Sequence, residues 1–229
     1  MKAYHNIDCM EGMKEFPDKY FELAIVDVPY GLGMSGRAWH SYADETVIRN
    51  GKVRGEGLAK PIKYKISDWD NKVPSKEYFN ELKRISVNQI IYGGNYFNLG
   101  KTSCYIVWDK NNDGSNFADC ELLWTSFKSA VRIFRYTWRG MLQQDMKNKE
   151  VKIHPTQKPV KLYEWLLKNY AKQGDKIIDT HVGSGSSIIA FEKHGFEYCG
   201  YEIDKDYYDS SKKRIEKHRE LLQQETIFN

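Results

Sequence analysis

Lys176-Ile-Ile-Asp-Thr-His-Val-Gly-Ser-Gly-Ser-Ser187 is the stretch that decides the fold. Ile177 and Ile178 are β-branched and Gly174-Asp175 punctuates the approach, which predicts a buried parallel strand. The run turns polar at Asp179. Gly183 and Gly185 then let the backbone come close to a ligand with no Cβ in the way. The following Ser-Ile-Ile-Ala-Phe-Glu-Lys segment predicts a helix whose first amides aim at that ligand. A second strand, Tyr198-Cys-Gly-Tyr201, ends on Glu202, about twenty residues past the loop, where a nucleotide-binding α/β unit keeps the acid for ribose hydroxyls.

A Gly-x-Gly by itself is weak, since many strand-to-helix turns carry one with no ligand. Ile188 stands where the third glycine of the dinucleotide fingerprint belongs, which argues against NAD or FAD. An adenosine ligand without a pyrophosphate stays open, S-adenosylmethionine being the commonest.

At 229 residues the chain is sized for a single α/β domain, residues 1–229, with decorating loops. Lys and Arg (35) exceed Asp and Glu (31) by four, a balance that permits a polyanionic partner without requiring one. The four cysteines, Cys9, Cys104, Cys120 and Cys199, form no Cys-x-x-Cys pair, and the six histidines show no ligand spacing. Neither a metal site nor a disulfide framework is expected, and a reducing cytoplasm is. The first residues carry no signal-peptide core and no apolar run reaches membrane-spanning length, so the expectation is a soluble intracellular protein with no membrane partner.

Outward from the loop, Ala3–Ile7 reads as a short strand leading to Asp8. Cys9, Met10, Met13 and Phe16 follow at helical spacing and are read as core. Leu23-Ala-Ile-Val26 is a continuous apolar strand that delivers Asp27-Val-Pro-Tyr30 at its carboxyl end, where open α/β sheets build their sites. Ser75 predicts an N-cap for a helix with Tyr78, Phe79, Leu82 and Ile85 on one face. Strands are expected at Gln89–Tyr92, Tyr105–Trp108 and Val131–Tyr136. His154-Pro-Thr-Gln-Lys-Pro159 leads into a helix with Leu162, Trp165, Leu166 and Tyr170 on one face, ended by Gly174. Asp204 caps a last charged helix that runs to about Gln224. Two stretches lack periodicity, about 33–66 and 137–152. The first interleaves Arg37, Arg49, Lys52, Arg54, Lys60, Lys63 and Lys65 with Trp39, Tyr42 and Tyr64; the second carries Arg139, Lys147, Lys149 and Lys152. Both are long enough to be functional, and their basic side chains could track the phosphates of a polyanion. For Trp39 and Trp138, packing is preferred over intercalation.

These features together resemble the amino-methylating DNA methyltransferases, which modify adenine at N6 or cytosine at N4. Asp27-Val-Pro-Tyr30 is similar to their [DNS]-P-P-[YFW] catalytic motif and Asp179-Thr-His-Val-Gly-Ser-Gly-Ser186 to their D-P-F-x-G-S-G-T cofactor motif. Asp8-Cys9, Phe79-Asn-Glu-Leu-Lys-Arg84, Ile91-Tyr-Gly-Gly-Asn-Tyr96, Val107-Trp-Asp-Lys-Asn111 and His154–Pro159 extend the likeness over nearly the whole chain. The catalytic tetrapeptide precedes the cofactor loop, the circularly permuted order of the β group. The resemblance implies a Rossmann-like S-adenosylmethionine-dependent methyltransferase fold, with a mostly parallel central sheet and helices on both faces.

It also implies roles. An exocyclic amine is a poor nucleophile because its lone pair is conjugated into the ring, so acceptors against its hydrogens favour pyramidal geometry and developing positive charge. Asp27 and the carbonyl of Val28 would be those acceptors, Pro29 would stiffen the turn, and Tyr30 would stack on a base flipped out of the duplex. On the cofactor side, where Asp27 also belongs, Asp8 with Cys9 matches a position near the adenine amine. Thr156, Lys158 and Pro159 match the segment near the methionine carboxylate. Asp179 would face the methionine amino group, His181 would pack on the cofactor, Gly183, Ser184, Gly185 and Ser186 would pass close to it, and Glu202 would accept from the ribose. The sequence departs from the family pattern at Val28, Thr180 and His181. An acid-first tetrapeptide favours N6 of adenine; N4 of cytosine and a non-catalytic DNA- or nucleoside-binding relative are the alternatives. DNA is the implied partner, contacted through the insertions at about 33–66 and 137–152, with a homodimer and a cognate restriction endonuclease as further possibilities of the family.

Overall fold

Leu23, Ile25 and Ile177 face one way across the central sheet and Ala24, Val26 and Ile178 the other, because successive strand side chains alternate. Both faces are covered, so the middle strands read as continuous apolar runs. The computed structural model describes residues 1–32, 48–49, 52–53, 73–112, 118–139 and 142–227.

Strand β1 (Lys2–His5) is followed by α1 (Cys9–Met13) and β2 (Phe21–Val26), and the two-residue strands β3 (Ile48–Arg49) and β4 (Lys52–Val53) pair as a small antiparallel ladder. The rest of the expected 33–66 insertion lies outside the described residues. Helix α2 (Lys76–Ile85) leads into β5 (Ser86–Tyr92), β6 (Ile106–Asp109), β7 (Cys120–Thr125) and β8 (Arg132–Arg135). A hairpin of β9 (Trp138–Arg139) and β10 (Leu142–Gln143) precedes α3 (Val160–Tyr170), β11 (Lys176–Asp179), α4 (Ser186–Lys193), β12 (Glu197–Tyr201) and α5 (Lys205–Ile227).

The sheet has eight strands in the order β1-β12-β11-β2-β5-β7-β6-β8. The first five run parallel, and only β7 opposes its neighbours. One face packs on α3, α4 and α5 through Leu162, Leu166, Ile188, Phe191 and Ile215. The other packs on α1 and α2 through Met13, Tyr78, Leu82 and Ile85. This is the expected mostly parallel sheet with helices on both faces. The helices that follow the adjacent strands β2 and β11 leave to opposite faces, which opens a crevice at their carboxyl ends.

Local signals explain most boundaries. Ser75 caps α2 by accepting from the Tyr78 amide, and Asp204 caps α5 by accepting from the amides of Asp206 and Tyr207. Three expectations are corrected. Helix α3 ends at Tyr170 with Ala171 as its cap, and Gly174, at φ +93°, sits in the turn before β11. Helix α5 runs on to Ile227. Strand β7 was not expected at all, and the stretch read as irregular after Thr137 contains the β9–β10 hairpin. Trp138 packs, as preferred, with its indole donating to the Gln157 carbonyl at 2.8 Å. Among the described residues no helix is long and apolar enough to cross a membrane.

Candidate active site

The carboxyl ends of β1, β12, β11, β2 and β5 share one edge of the sheet because the strands are parallel. β6 points the same way, and antiparallel β7 brings its first residues there: Asp109 pairs with Cys120, and Trp108 with Glu121. Asp8, Asp27, Gly93, Lys110, Glu121, Asp179 and Glu202 therefore come from seven segments to one rim.

Asp27 is the first residue after β2. Its Oδ1 accepts from the Tyr30 hydroxyl at 2.9 Å and its Oδ2 meets the Lys158 ammonium at 2.9 Å. Val28 is 2% exposed and belongs to the apolar cluster under α1 and α2, so the side chain that replaces the family's proline is used as core. Pro29 carries the chain to Tyr30, whose ring stacks on Tyr96 at 4.9 Å. Gly93 makes room for that ring: its φ is +67°, and a Cβ there would stand 2.4 Å from Tyr30.

Lys158 is 6% exposed, and its ammonium also reaches Glu121 Oε2 at 3.2 Å and the Thr156 carbonyl at 3.4 Å. The other Glu121 oxygen pairs with Lys110 at 2.6 Å. Two acids and two lysines thus alternate in a low-dielectric site. Burial raises the Asp27 carboxyl more than Lys158 and the Tyr30 hydroxyl lower it, and Glu121 pushes it up further. Burial also acts on Glu121, but Lys158 and Lys110 together overcome it and hold that carboxyl at about 2. Burial disfavours the Lys158 ammonium, yet its two carboxylates more than compensate and keep it protonated. The donors of Lys158 are thus directed at Asp27 and Glu121. Thr156 bonds His154 Nδ1 through its hydroxyl at 3.1 Å, and Pro159 is the N-cap of α3. Through its carbonyl, Lys158 accepts from Ser186 Oγ at 2.7 Å, which ties this segment to the glycine loop.

In that loop Asp179 is fully buried. Its Oδ1 accepts the His181 amide at 3.0 Å and its Oδ2 is left without a well-formed hydrogen bond. Burial pushes the carboxyl up to about 7, offset in part by Ser187 and the His181 amide and reinforced by Asp27 and Glu202. Glu202 accepts the Gly183 amide at 2.8 Å and the Asp204 amide at 2.9 Å, so it shapes the loop. The glycines have reasons beyond ligand approach. Gly183 and Gly185 sit at φ +54° and +80°, and a Cβ on Gly185 would press on Ile215 and Ser211 of α5 at 3.1–3.3 Å. Ser184 Oγ shares a hydrogen bond with Ser186 Oγ at 3.1 Å.

Asp8 caps α1 by accepting the Met10 amide at 2.7 Å. Burial, with Asp8 adding to it, pushes the neighbouring Cys9 thiol up to about 12. His181 is held neutral, its pKa lowered to about 4 by burial, and it hydrogen-bonds Thr180, which in turn bonds Tyr78. Sequence reasoning missed Glu121, Lys110 and the Tyr96 partner of Tyr30.

The sequence pattern of the family described as DNA methylase (N6/N4) matches residues 58–213. The type II methyltransferase M.HinfI of Haemophilus influenzae is 23% identical over 255 residues, 91% of this chain and 66% of that protein. M2.DpnII of Streptococcus pneumoniae, also a type II methyltransferase, is 29% identical over 139 residues, 50% of this chain. The chain thus spans 66% and the matched part 51% of the length of these relatives. Among solved structures, an M1.HpyAVI–SAM complex superposes with a TM-score of 0.54 at 17% identity, covering 93% of this chain and all of the other, a likeness of fold. With a family match over well more than half of its length, the chain belongs to the DNA methylases that act on exocyclic amines, the N6/N4 family.

Proposed function

We propose that this chain transfers a methyl group from S-adenosylmethionine to the N6 amine of adenine in DNA, the base being flipped into the pocket at Asp27. The observation that carries the reading is the Asp27 carboxylate at the carboxyl end of β2, hydrogen-bonded to Tyr30 and one strand away from the Asp179–Ser186 loop. The acid-first tetrapeptide supports adenine. The cofactor's chemistry fits the residues present: a buried Asp179 oxygen without a well-formed hydrogen bond suits an ammonium, and the Glu202 carboxylate is an acceptor for ribose hydroxyls. M1.HpyAVI, whose fold this chain shares, was solved with that cofactor.

When bound, the cofactor supplies an electrophilic methyl on a sulfonium; as the nitrogen–carbon bond forms, the carbon–sulfur pair leaves with sulfur as a neutral thioether. Asp27 and the Val28 carbonyl accept the amine hydrogens and stabilise the positive charge that builds on nitrogen. The surplus proton passes to Asp27 or to solvent once the ammonium has formed. Tyr30 offers a ring for the flipped base. The type II relatives support a cognate restriction endonuclease in the same cell, and a second copy of the chain could complete the small DNA-contacting surface.

The test is transfer of labelled methyl from S-adenosylmethionine to unmethylated genomic DNA, with nucleoside analysis of the digest. N6-methyladenine is expected. N4-methylcytosine would overturn the choice of base, and no label on any DNA would overturn the activity.

The raised Asp179 carboxyl gives a second expectation. A cofactor ammonium needs the ionised acid, so affinity should rise as pH climbs through about 7. Below that value it should fall toward about tenfold per pH unit, as one linked proton requires. Asp179→Asn should weaken binding and flatten the profile, which calorimetry from acid to alkaline pH reads directly. A flat wild-type profile would remove Asp179 from the ammonium site.

A further inference from the structure

Resting on that reading, we propose that Glu121 is a positioning residue for methyl transfer: it shares the Lys158 ammonium with Asp27 and so keeps the Asp27 carboxylate available to the target amine.

Lys158 stands between the two acids, 2.9 Å from Asp27 Oδ2 and 3.2 Å from Glu121 Oε2, and its ammonium also lies 5.6 Å from the ring centres of Tyr30 and Tyr92. The Thr156 carbonyl lies 3.4 Å from the same ammonium. Glu121 is held from behind by Lys110 at 2.6 Å, and the β6–β7 ladder fixes both residues.

The charge arithmetic gives Glu121 its task. Methyl transfer builds positive charge on the amine beside Asp27, and a buried ammonium paired with Asp27 alone would cancel most of that carboxylate's field. A second carboxylate divides the ammonium's pull. Lys158 remains necessary, because without it a buried Asp27 would be driven toward its neutral form. Glu121 and Lys158 thus bracket the state of Asp27 from opposite sides. The other groups that face Asp27 are the Tyr30, Tyr92 and Tyr163 hydroxyls, Asp179 across from β11 and, behind Glu121, Lys110. Among the described residues, Lys158 is the cation that makes an ion pair with Asp27, and Glu121 is the second acid on it.

Glu121→Gln keeps shape and removes the charge. Single-turnover methyl transfer should fall by about tenfold or more, the scale of a lost electrostatic contribution at a reacting centre. The acidic limb of the rate profile should move to lower pH, since a negative neighbour of Asp27 is gone. Cofactor affinity should stay close to wild type, the melting temperature should fall because a buried pair is broken from one side, and Glu121→Asp should recover part of the rate. Independently of activity, the Lys158 ammonium should give a solvent-protected 15N–1H signal, identified by its loss in Lys158→Gln, that shifts or broadens in Glu121→Gln. An unchanged rate with an unmoved acidic limb would overturn the proposal. So would a fall in rate that tracks lost cofactor binding with the limb in place, which is what a structural role produces. If the wild-type protein methylates no DNA, the methyltransferase reading fails by itself and the ammonium signal decides whether Glu121 governs Lys158; a signal indifferent to Glu121→Gln would overturn the pairing too.

Discussion

Asp27→Ala should lower methyl transfer by on the order of 10³-fold, the cost of removing a preorganised group aimed at developing charge, while cofactor affinity stays within a few-fold of wild type. The two readouts separate because the two halves of the site are wired differently. Asp27 bonds Tyr30 and Lys158, whereas the glycine loop is shaped by Glu202 on the Gly183 amide and Asp179 on the His181 amide, bonds that do not pass through Asp27. Asp27→Asn should retain more activity than Asp27→Ala, because an amide oxygen still accepts one amine hydrogen although it brings no charge. Single-turnover transfer measured beside calorimetric cofactor binding checks both statements. Transfer that survives Asp27→Ala to within tenfold, on the same scale of group contributions, sinks the assigned role.

What the sequence made legible follows the length scale of each signal. The strand-to-loop transition at Asp179 and the acid at the end of β2 are local: apolar runs cut by glycine or by Asp-x-Pro-Tyr need no knowledge of distant residues. The same holds for the Ser75 and Asp204 caps. Strand β7 escaped because Cys120-Glu-Leu-Leu-Trp-Thr125 has one β-branched residue and no strict alternation; its two leucines and glutamate favour helix as readily. Missing β7 meant missing Glu121, since a charged residue in an unassigned stretch reads as solvated surface. Lys158 shows the complementary limit. Its motif was recognised, but only the fold brings its ammonium across the crevice to Asp27, far away in sequence. Gly174 looked like the residue that ends α3, yet the chain leaves the helix at Ala171 and uses the left-handed glycine to turn into β11.

The largest stability effect is expected at that same lysine. Lys158→Met keeps length and apolar bulk but leaves two buried carboxylates facing each other, and breaking a buried pair from one side costs about 3–5 kcal/mol. The loss should depend on pH. In the wild type Glu121 is held at about 2, below the ordinary carboxylate value, so its contribution is present at neutral pH and lost only as the pH falls toward 2. Asp27, already raised above its unfolded value by burial, is pushed up further without Lys158 and is an acid of the opposite sign: it stabilises when protonated at low pH, and that stability disappears as the pH rises. The gap between wild type and variant should therefore be wider at pH 8 than at pH 5, two values chosen to bracket a raised carboxyl. Glu121→Gln added to Lys158→Met should recover part of the loss, because one of the two stranded charges is removed. Urea unfolding of the three proteins at both pH values is the measurement. Equal deficits at the two pH values, or a double variant no more stable than Lys158→Met, would show that the alternating charges around Lys158 do not hold this end of the sheet together.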